Sequence, residues 1–315
     1  MKTDIDVIAL GGNAILPAEG EGTIEQQREV TRRTMKQICS LIKSGRKIII
    51  THGNGPIVGN IIERGEAVKD HIPPMPIDVC GADSQGGIGY MVQQILGSEL
   101  RSEGINKEVV SLISQVRVAE DDDAFDKPTK PIGPFYTKEE KEVIEREKDW
   151  IMKEDAGGRG FRRVVPSPTP LEIIETPVIS KLLSLDVIII AVGGGGIPVV
   201  RRENGFEGVE AVIDKDRAAS VLSEDVKADR LIILTNVDYV YVNYGKSNQE
   251  ALERISLSDL TKLYRNYEFP AGSMGPKVRA AIDFLESGGD EAIISHASHL
   301  LEACEGKSGT HIYHD

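Results

Sequence analysis

Three lysines stand in settings unlike the solvated charge runs that hold most of the others. Lys215 lies between two acids, in Asp214-Lys215-Asp216, after the mostly apolar stretch 209–213. Two flanking carboxylates can keep an ammonium charged, and either could also orient a neighbouring lysine or coordinate Mg²⁺, Asp216 being the candidate metal ligand. The same triplet reads equally as a helix N-cap carrying an exposed lysine. Lys277 follows Gly272-Ser273-Met274-Gly275-Pro276. Proline suits a first helical turn, so Lys277 stands near a helix N-terminus, where a cation opposes the dipole. A bound phosphate would offset that opposition; a side chain swung into water would avoid it. Lys130 is held in Pro128-Thr129-Lys130-Pro131-Ile132-Gly133-Pro134-Phe135. Its proline neighbours restrict the backbone and present the side chain from a stiff segment, over a crevice or on a rigid surface loop. Phosphoryl transfer asks for positive charge around the moving group more than for a base, and these three lysines with Asp214 are the candidates to supply it.

Anion-binding backbone is the second ingredient. Gly11-Gly12-Asn13, Gly53-Asn54-Gly55 and Gly193-Gly194-Gly195-Gly196 each follow an apolar run that reads as a strand. In an open parallel sheet such turns converge on one edge, where glycine leaves backbone N–H groups unscreened and asparagine adds donors. Any one turn is equally a tight connection; three together predict a crevice for negatively charged oxygens. The P-loop pattern, the Gly-x-Gly-x-x-Gly fingerprint after the first strand and the protein-kinase signatures are all missing. His296 and His299 are three apart with no third ligand evident in the sequence, and Ser167 has no local base, so neither metal nor covalent catalysis is proposed from them.

The elements that must position these groups alternate. Residues 5–10, 47–51, 109–116, 187–192, 231–234 and 292–294 read as strands, the last as a final short central one. Residues 25–43, 84–100, 170–185 (with a break at Pro177), 215–222 and 278–285 read as helices. Nearly all-aliphatic strands separated by helices define an α/β fold with a mainly parallel sheet covered on both faces. Residues 121–166 break the rhythm with acidic, proline-rich and mixed-charge sequence. They read as a small protruding subdomain within one 1–315 domain, either a lid or a structured surface excursion, with an exposed helix over 139–154. Glu142 and Arg146 are spaced for an i,i+4 pair there.

Composition bounds the rest. At 315 residues and 40% hydrophobic, the chain can build a large core, with only 5% aromatics to fill it. Its formal net charge of −13 argues against nucleic acid or an anionic membrane as a general partner, so an anionic substrate would need local lysines. Three scattered cysteines, Cys39, Cys80 and Cys304, fit neither a disulfide framework nor a zinc site and point to a reducing cytoplasm. The first strand begins early, with the acids Asp4 and Asp6 at its start, so no signal peptide is expected, and no apolar run is long enough to span a bilayer.

Taken end to end, the motifs resemble the carbamate kinases of the amino acid kinase family. The matching segments are ALGGNA (9–14), THGNGP (51–56), DVCGA (78–82), PTKPIGPFY (128–136), RRVVPSP (162–168), GGGGIP (193–198), GVEAVIDKD (208–216) and GSMGPK (272–277). PTKPIGPFY and GVEAVIDKD are the most specific. The resemblance implies a three-layer αβα sandwich with a protruding subdomain, and a homodimer. It implies Mg²⁺-dependent, reversible transfer between ATP and carbamate, giving ADP and carbamoyl phosphate. Gly11, Gly12, Asn13, Gly53 and Asn54 would then lie at the phosphoryl and carbamate end. Lys130, Lys215 and Lys277 would surround the transferred group, with Asp214 positioning them. The nucleotide would lie over the loops after Leu234, including Asn236 and the stretch from Val240 to Tyr244, with Met274 and Gly275 near it. Ala9 stands where other amino acid kinases often carry a lysine, which favours the carbamate branch. Asn236 stands where an acid is expected and Ile57 where a glutamine is expected.

Overall fold

The computed structural model describes residues 4–16, 22–148, 150–155, 158–266, 269–270 and 273–315. Among these, the largest sheet has eight strands. In spatial order they are Arg254–Ser256, Thr310–Tyr313, Glu291–His296, Arg230–Thr235, Ile5–Leu10, Lys47–His52, Ile188–Ile190 and Val109–Ser111. Pairing is parallel except between Glu291–His296 and Thr310–Tyr313. The strand 291–296 is therefore followed by a further, antiparallel one, whose pattern is too short to stand out in sequence.

Side-chain alternation divides the aliphatic strands between two cores. Val7, Ala9, Ile49, Ile189, Leu231 and Ile233 face one side, with Leu222, Ile282 and Leu285 from the helices Lys215–Asp225 and Met274–Glu286. Ile8, Leu10, Ile48, Ile50, Ile190 and Ile232 face the other, with Met35, Ile38, Val92 and Leu96 from the helices Ile24–Ile42 and Ile77–Ser102. This is the expected αβα sandwich. The helix Ile24–Ile42 starts with a capping box: Thr23 accepts from the Gln26 N–H, and the Gln26 side chain accepts from the Thr23 N–H.

Several boundaries differ from expectation. The run 109–116 is two strands, not one. Val109–Ser111 joins the main sheet, whereas Gln115–Arg117 joins a second sheet with Ile197–Arg202, Gly205–Gly208 and Glu172–Ile173. The helix over 170–185 starts only at Thr176, because Pro177 fits its first turn and Glu172–Ile173 is already strand. The helix over 84–100 begins earlier, at Ile77.

Residues 121–166 contain a three-stranded antiparallel sheet, Met152–Glu154, Phe161–Val165 and Lys130–Tyr136, with the helix Lys138–Lys148. That helix is shorter than the expected 139–154, since Met152 turns inward and is buried. Arg146 pairs with Glu147 rather than Glu142, while Lys141 pairs with Glu145. Trp150 lies between Lys148 Nζ, 4.3 Å from its ring centre, and the Arg163 guanidinium at 4.1 Å.

Candidate active site

The central parallel strands all end at one edge, so the loops after Leu10, His52 and Thr235 meet there. Two cavities open side by side. One, about 480 Å³, is walled by Gly11, Gly12, Asn13, Thr235, Asn236, Val237, Tyr241, Tyr244, Phe269, Pro270 and Met274. The other, about 520 Å³, lies under the small lobe and includes Gly53, Asn54, Gly55, Asn60, Lys130, Phe135, Arg159, Arg162, Gly194 and Asp214. Gly12, Lys215, Ser273 and Lys277 belong to both walls. A molecule in one cavity therefore meets a molecule in the other at these four residues.

The three lysines are organised by the two aspartates. Lys215 Nζ bonds Asp216 Oδ1, and Lys277 Nζ lies 2.9 Å from Asp216 Oδ2. Lys130 Nζ lies 2.7 Å from Asp214 Oδ2. Asp214 also caps the helix Lys215–Asp225, its Oδ1 accepting from the N–H groups of Asp216 and Arg217 at 3.0 and 3.3 Å. The N-cap reading of this triplet and the charge-organising one are both realised, on different oxygens of Asp214. Asp216 is the more central carboxylate. Both its oxygens are taken by ammonium groups, so it organises cations here and is not set as a Mg²⁺ ligand.

Burial makes these charges count. The Asp216 side chain is only 3% exposed and that of Lys215 13%. Burial alone would raise the Asp216 pKa, but Lys215 and Lys277 outweigh it and hold the carboxyl well below its ordinary range. Burial likewise raises Asp214, and Lys130 reverses it. Burial pulls Lys277 down, yet attraction to Asp216 leaves it above the ordinary lysine value. Lys215 differs. Burial is its largest influence, Lys277 repels it, and the pull of Asp216 is insufficient, so its pKa is lowered.

The glycine turns permit this crowding. A Cβ on Gly53 would lie 3.1 Å from Lys215 Cδ. Gly194 lines the lobe-side cavity against the Asn54 amide. Gly195 lies behind the wall and packs on Ile213, setting the approach of the 213–214 segment. His52 is buried, its Nδ1 3.0 Å from the Gly53 carbonyl, and burial lowers its pKa to about 4, so it is a neutral spacer beneath the turn.

Among the residues expected near a nucleotide, Asn236, Tyr244 and Met274 line the 480 Å³ cavity. Val240 does not: it is fully buried, and its N–H donates to Thr310 Oγ1 at 2.8 Å. Gly275 packs its backbone against Pro270. Gly272 of the GSMGPK motif lies outside the described residues. Sequence reasoning missed Phe269, Asn60 and Arg159, and it quoted Arg162 only as part of a motif, with no role; Tyr241 falls within the expected stretch 240–244. Its ring stands 5.9 Å from that of Tyr244. Ile57 packs against the apolar core on its face of the sheet.

This chain belongs to the amino acid kinase family, whose model matches residues 4–296. Within it, the chain is 49% identical to the carbamate kinase of Pyrococcus horikoshii over 97% of this chain and 98% of that one. It is 47% identical to carbamate kinase 2 of Staphylococcus epidermidis, over 96% and 97%. The fold superposes on the carbamate kinase of Giardia lamblia bound to AMP-PNP with a TM-score of 0.91 and 44% identity, covering 99% of this chain and 98% of that one. The same Giardia enzyme bound to citric acid gives a TM-score of 0.93 at 43% identity, with 99% and 98% covered.

Proposed function

We propose that this chain catalyses reversible phosphoryl transfer between ATP and carbamate, giving ADP and carbamoyl phosphate. The observation that carries the reading is the shared wall of the two cavities, where Lys215 and Lys277 stand. The near full-length likeness to carbamate kinases names the acceptor. ATP or ADP occupies the cavity beside Tyr241, Tyr244 and Met274, with its phosphates directed to Gly11, Gly12 and Asn13. Carbamate or carbamoyl phosphate occupies the lobe side, near Gly53, Asn54 and Lys130.

Carbamate already carries an anionic nucleophilic oxygen, so no general base is required. Lys130, Lys215 and Lys277 balance the charge that redistributes over the transferring group, and the backbone N–H groups of the glycine turns orient its oxygens. Asp214 and Asp216 keep the ammonium groups converged before substrate arrives, so little reorganisation remains at the moment of transfer. The reading includes Mg²⁺, which neutralises phosphate charge when bound. Among the described residues no acid lines the nucleotide cavity, and the carboxylates at the junction are paired with lysines, so the donor set fits an ion carried by the nucleotide. Asn13 and Asn236 offer neutral amide oxygens on that wall.

Residues 121–166 act as a lid in this account, with Lys130, Phe135, Arg159 and Arg162 brought over the acceptor to exclude water. A homodimer is part of the same proposal. Val79 and Tyr90 are exposed three turns apart on one face of the helix Ile77–Ser102, as a pairing surface requires. So is residence in the cytoplasm; among the described residues no helix is long and apolar enough to cross a membrane. The test is a phosphoryl-donor panel with ADP and Mg²⁺. Carbamoyl phosphate should support ATP formation well above acetyl phosphate or phosphorylated amino acids, and preference for one of the latter would reassign the acceptor.

A further inference from the structure

Beside the nucleotide wall, and independent of the kinase reading, three side chains from two loops converge. The strands Arg230–Thr235 and Glu291–His296 run parallel with Thr235 opposite His296. The segments that leave them therefore emerge side by side. The first carries Asp238. The second carries His296 itself and, after the single turn Ala297–His299, His299. One ligating atom from each of the three lies within 4.8 Å of the other two. In sequence the two histidines had no third partner; strand pairing supplies it.

We propose that Asp238, His296 and His299 bind a divalent cation of the zinc class. His299 Nδ1 is 3.0 Å from Asp238 Oδ1. In a tetrahedral zinc site, metal–ligand bonds of about 2.0–2.1 Å place neighbouring ligand atoms roughly 3.3 Å apart. This pair already has nearly that separation, and a cation can take the place of the proton between them. The imidazoles of His296 and His299 are tilted by 51° with ring centres 5.6 Å apart, an arrangement in which both rings can face one ion rather than stack. His296 Nδ1 accepts from the Ser298 backbone N–H at 3.1 Å and lies 2.6 Å from Ser298 Oγ, contacts that fix the orientation of the ring. Asp238 and His299 are about half exposed, so their side chains can close on the ion without disturbing the core. Two imidazoles and one carboxylate suit zinc or a similar borderline ion, and water completes the shell. Mg²⁺ and Ca²⁺ prefer an all-oxygen set.

The consequence lies in the loop. Asn236 and Val237 line the nucleotide cavity, and Asp238 follows them directly. An ion here ties that wall to the turn 297–299.

The test is calorimetric titration of Zn²⁺ into the chelator-stripped full chain, with melting temperature as a second readout. We expect one saturable equivalent and a rise in melting temperature. Asp238→Asn and His299→Ala should each weaken binding by at least about tenfold and abolish the rise, with zinc-free melting temperatures unchanged. His314→Ala, on the exposed tail, should bind as the parent does. Absence of saturable binding, or parental affinity in His299→Ala, would overturn the assignment.

Discussion

The backbones of Gly59 and Gly133 meet so closely that a Cβ on Gly59 would lie 2.0 Å from Gly133 Cα. Gly59 is in the helix Gly55–Ala67, which begins at the Gly53-Asn54-Gly55 turn, and Gly133 is in the lobe strand Lys130–Tyr136. The contact seats the strand that carries Lys130 on the helix that begins at a cavity-lining loop, and Tyr136 Oη adds a hydrogen bond to Glu63. No flexible side chain is available to yield there, so a methyl group must displace backbone. Gly59→Ala should lower turnover by about tenfold or more through misplacement of Lys130. ADP affinity should be unchanged, because the nucleotide cavity lies on the far side of Lys215. Steady-state kinetics and ADP titration of the variant check this pairing of effects, and equal loss of both would contradict it.

Asp216 serves Lys215 and Lys277 at once, so its removal should appear in the pH profile. Attraction to Asp216 holds Lys277 above the ordinary value of 10.5. On its alkaline side that pair therefore keeps its full stabilisation up to pH 10.5 and loses it as the pH climbs through the raised Lys277 value; on the acid side it loses it as Asp216 protonates, below the ordinary carboxylate range. Lys215 lies below 10.5 despite the same carboxylate, so it is the first of the two to deprotonate as pH rises. In Asp216→Asn both lysines lose the influence that raises them. The alkaline limb of kcat/KM should move to lower pH, along with a fall in turnover. An unmoved limb would show that neither lysine sets it.

Away from the chemistry, Asp6 is a fully buried carboxylate at the opposite end of the sheet. Arg46 and Arg230 both embrace it, with Arg230 Nη2 2.6 Å from Oδ2 and Arg46 Nη2 2.7 Å from Oδ1. Breaking a buried pair from one side leaves charge uncompensated and costs about 3–5 kcal/mol. Asp6→Asn should lose stability of that order in urea unfolding while the native fraction retains its turnover. A loss below about 1 kcal/mol, the scale of an exposed pair, would mean that water reaches the arginines.

Much of this architecture is legible in the sequence, for a physical reason. Strands such as Ile188–Ile190 are covered on both faces, so unbroken aliphatic runs mark them, and glycine turns mark their ends. The same logic misled over 109–116, where one continuous pattern spans two strands in different sheets and nothing local marks the change. It misled again over 139–154, where charge alternation continues from the helix into the strand Met152–Glu154. Lys130, Lys215 and Lys277 stood out because each occupies an awkward local setting that a partner must offset. Their division between Asp214 and Asp216 did not, since two aspartates that flank a lysine in an extended-to-helical segment point their oxygens to different neighbours only once the chain is folded. Phe269 and Asp238 were invisible for the same reason: their positions are set by distant pairing.

The most direct test of the account is ATP formation from carbamoyl phosphate and ADP with Mg²⁺, comparing the parent chain with Lys215→Ala. The substitution removes a buried cation from the junction of the two cavities. Loss of one preorganised electrostatic contact of this kind costs about 10²–10³ in turnover. We expect robust, metal-dependent ATP formation by the parent and a fall of that size in the variant, with folding and ADP binding retained. Comparable rates from the two proteins would contradict the assignment of phosphoryl transfer to this lysine cluster.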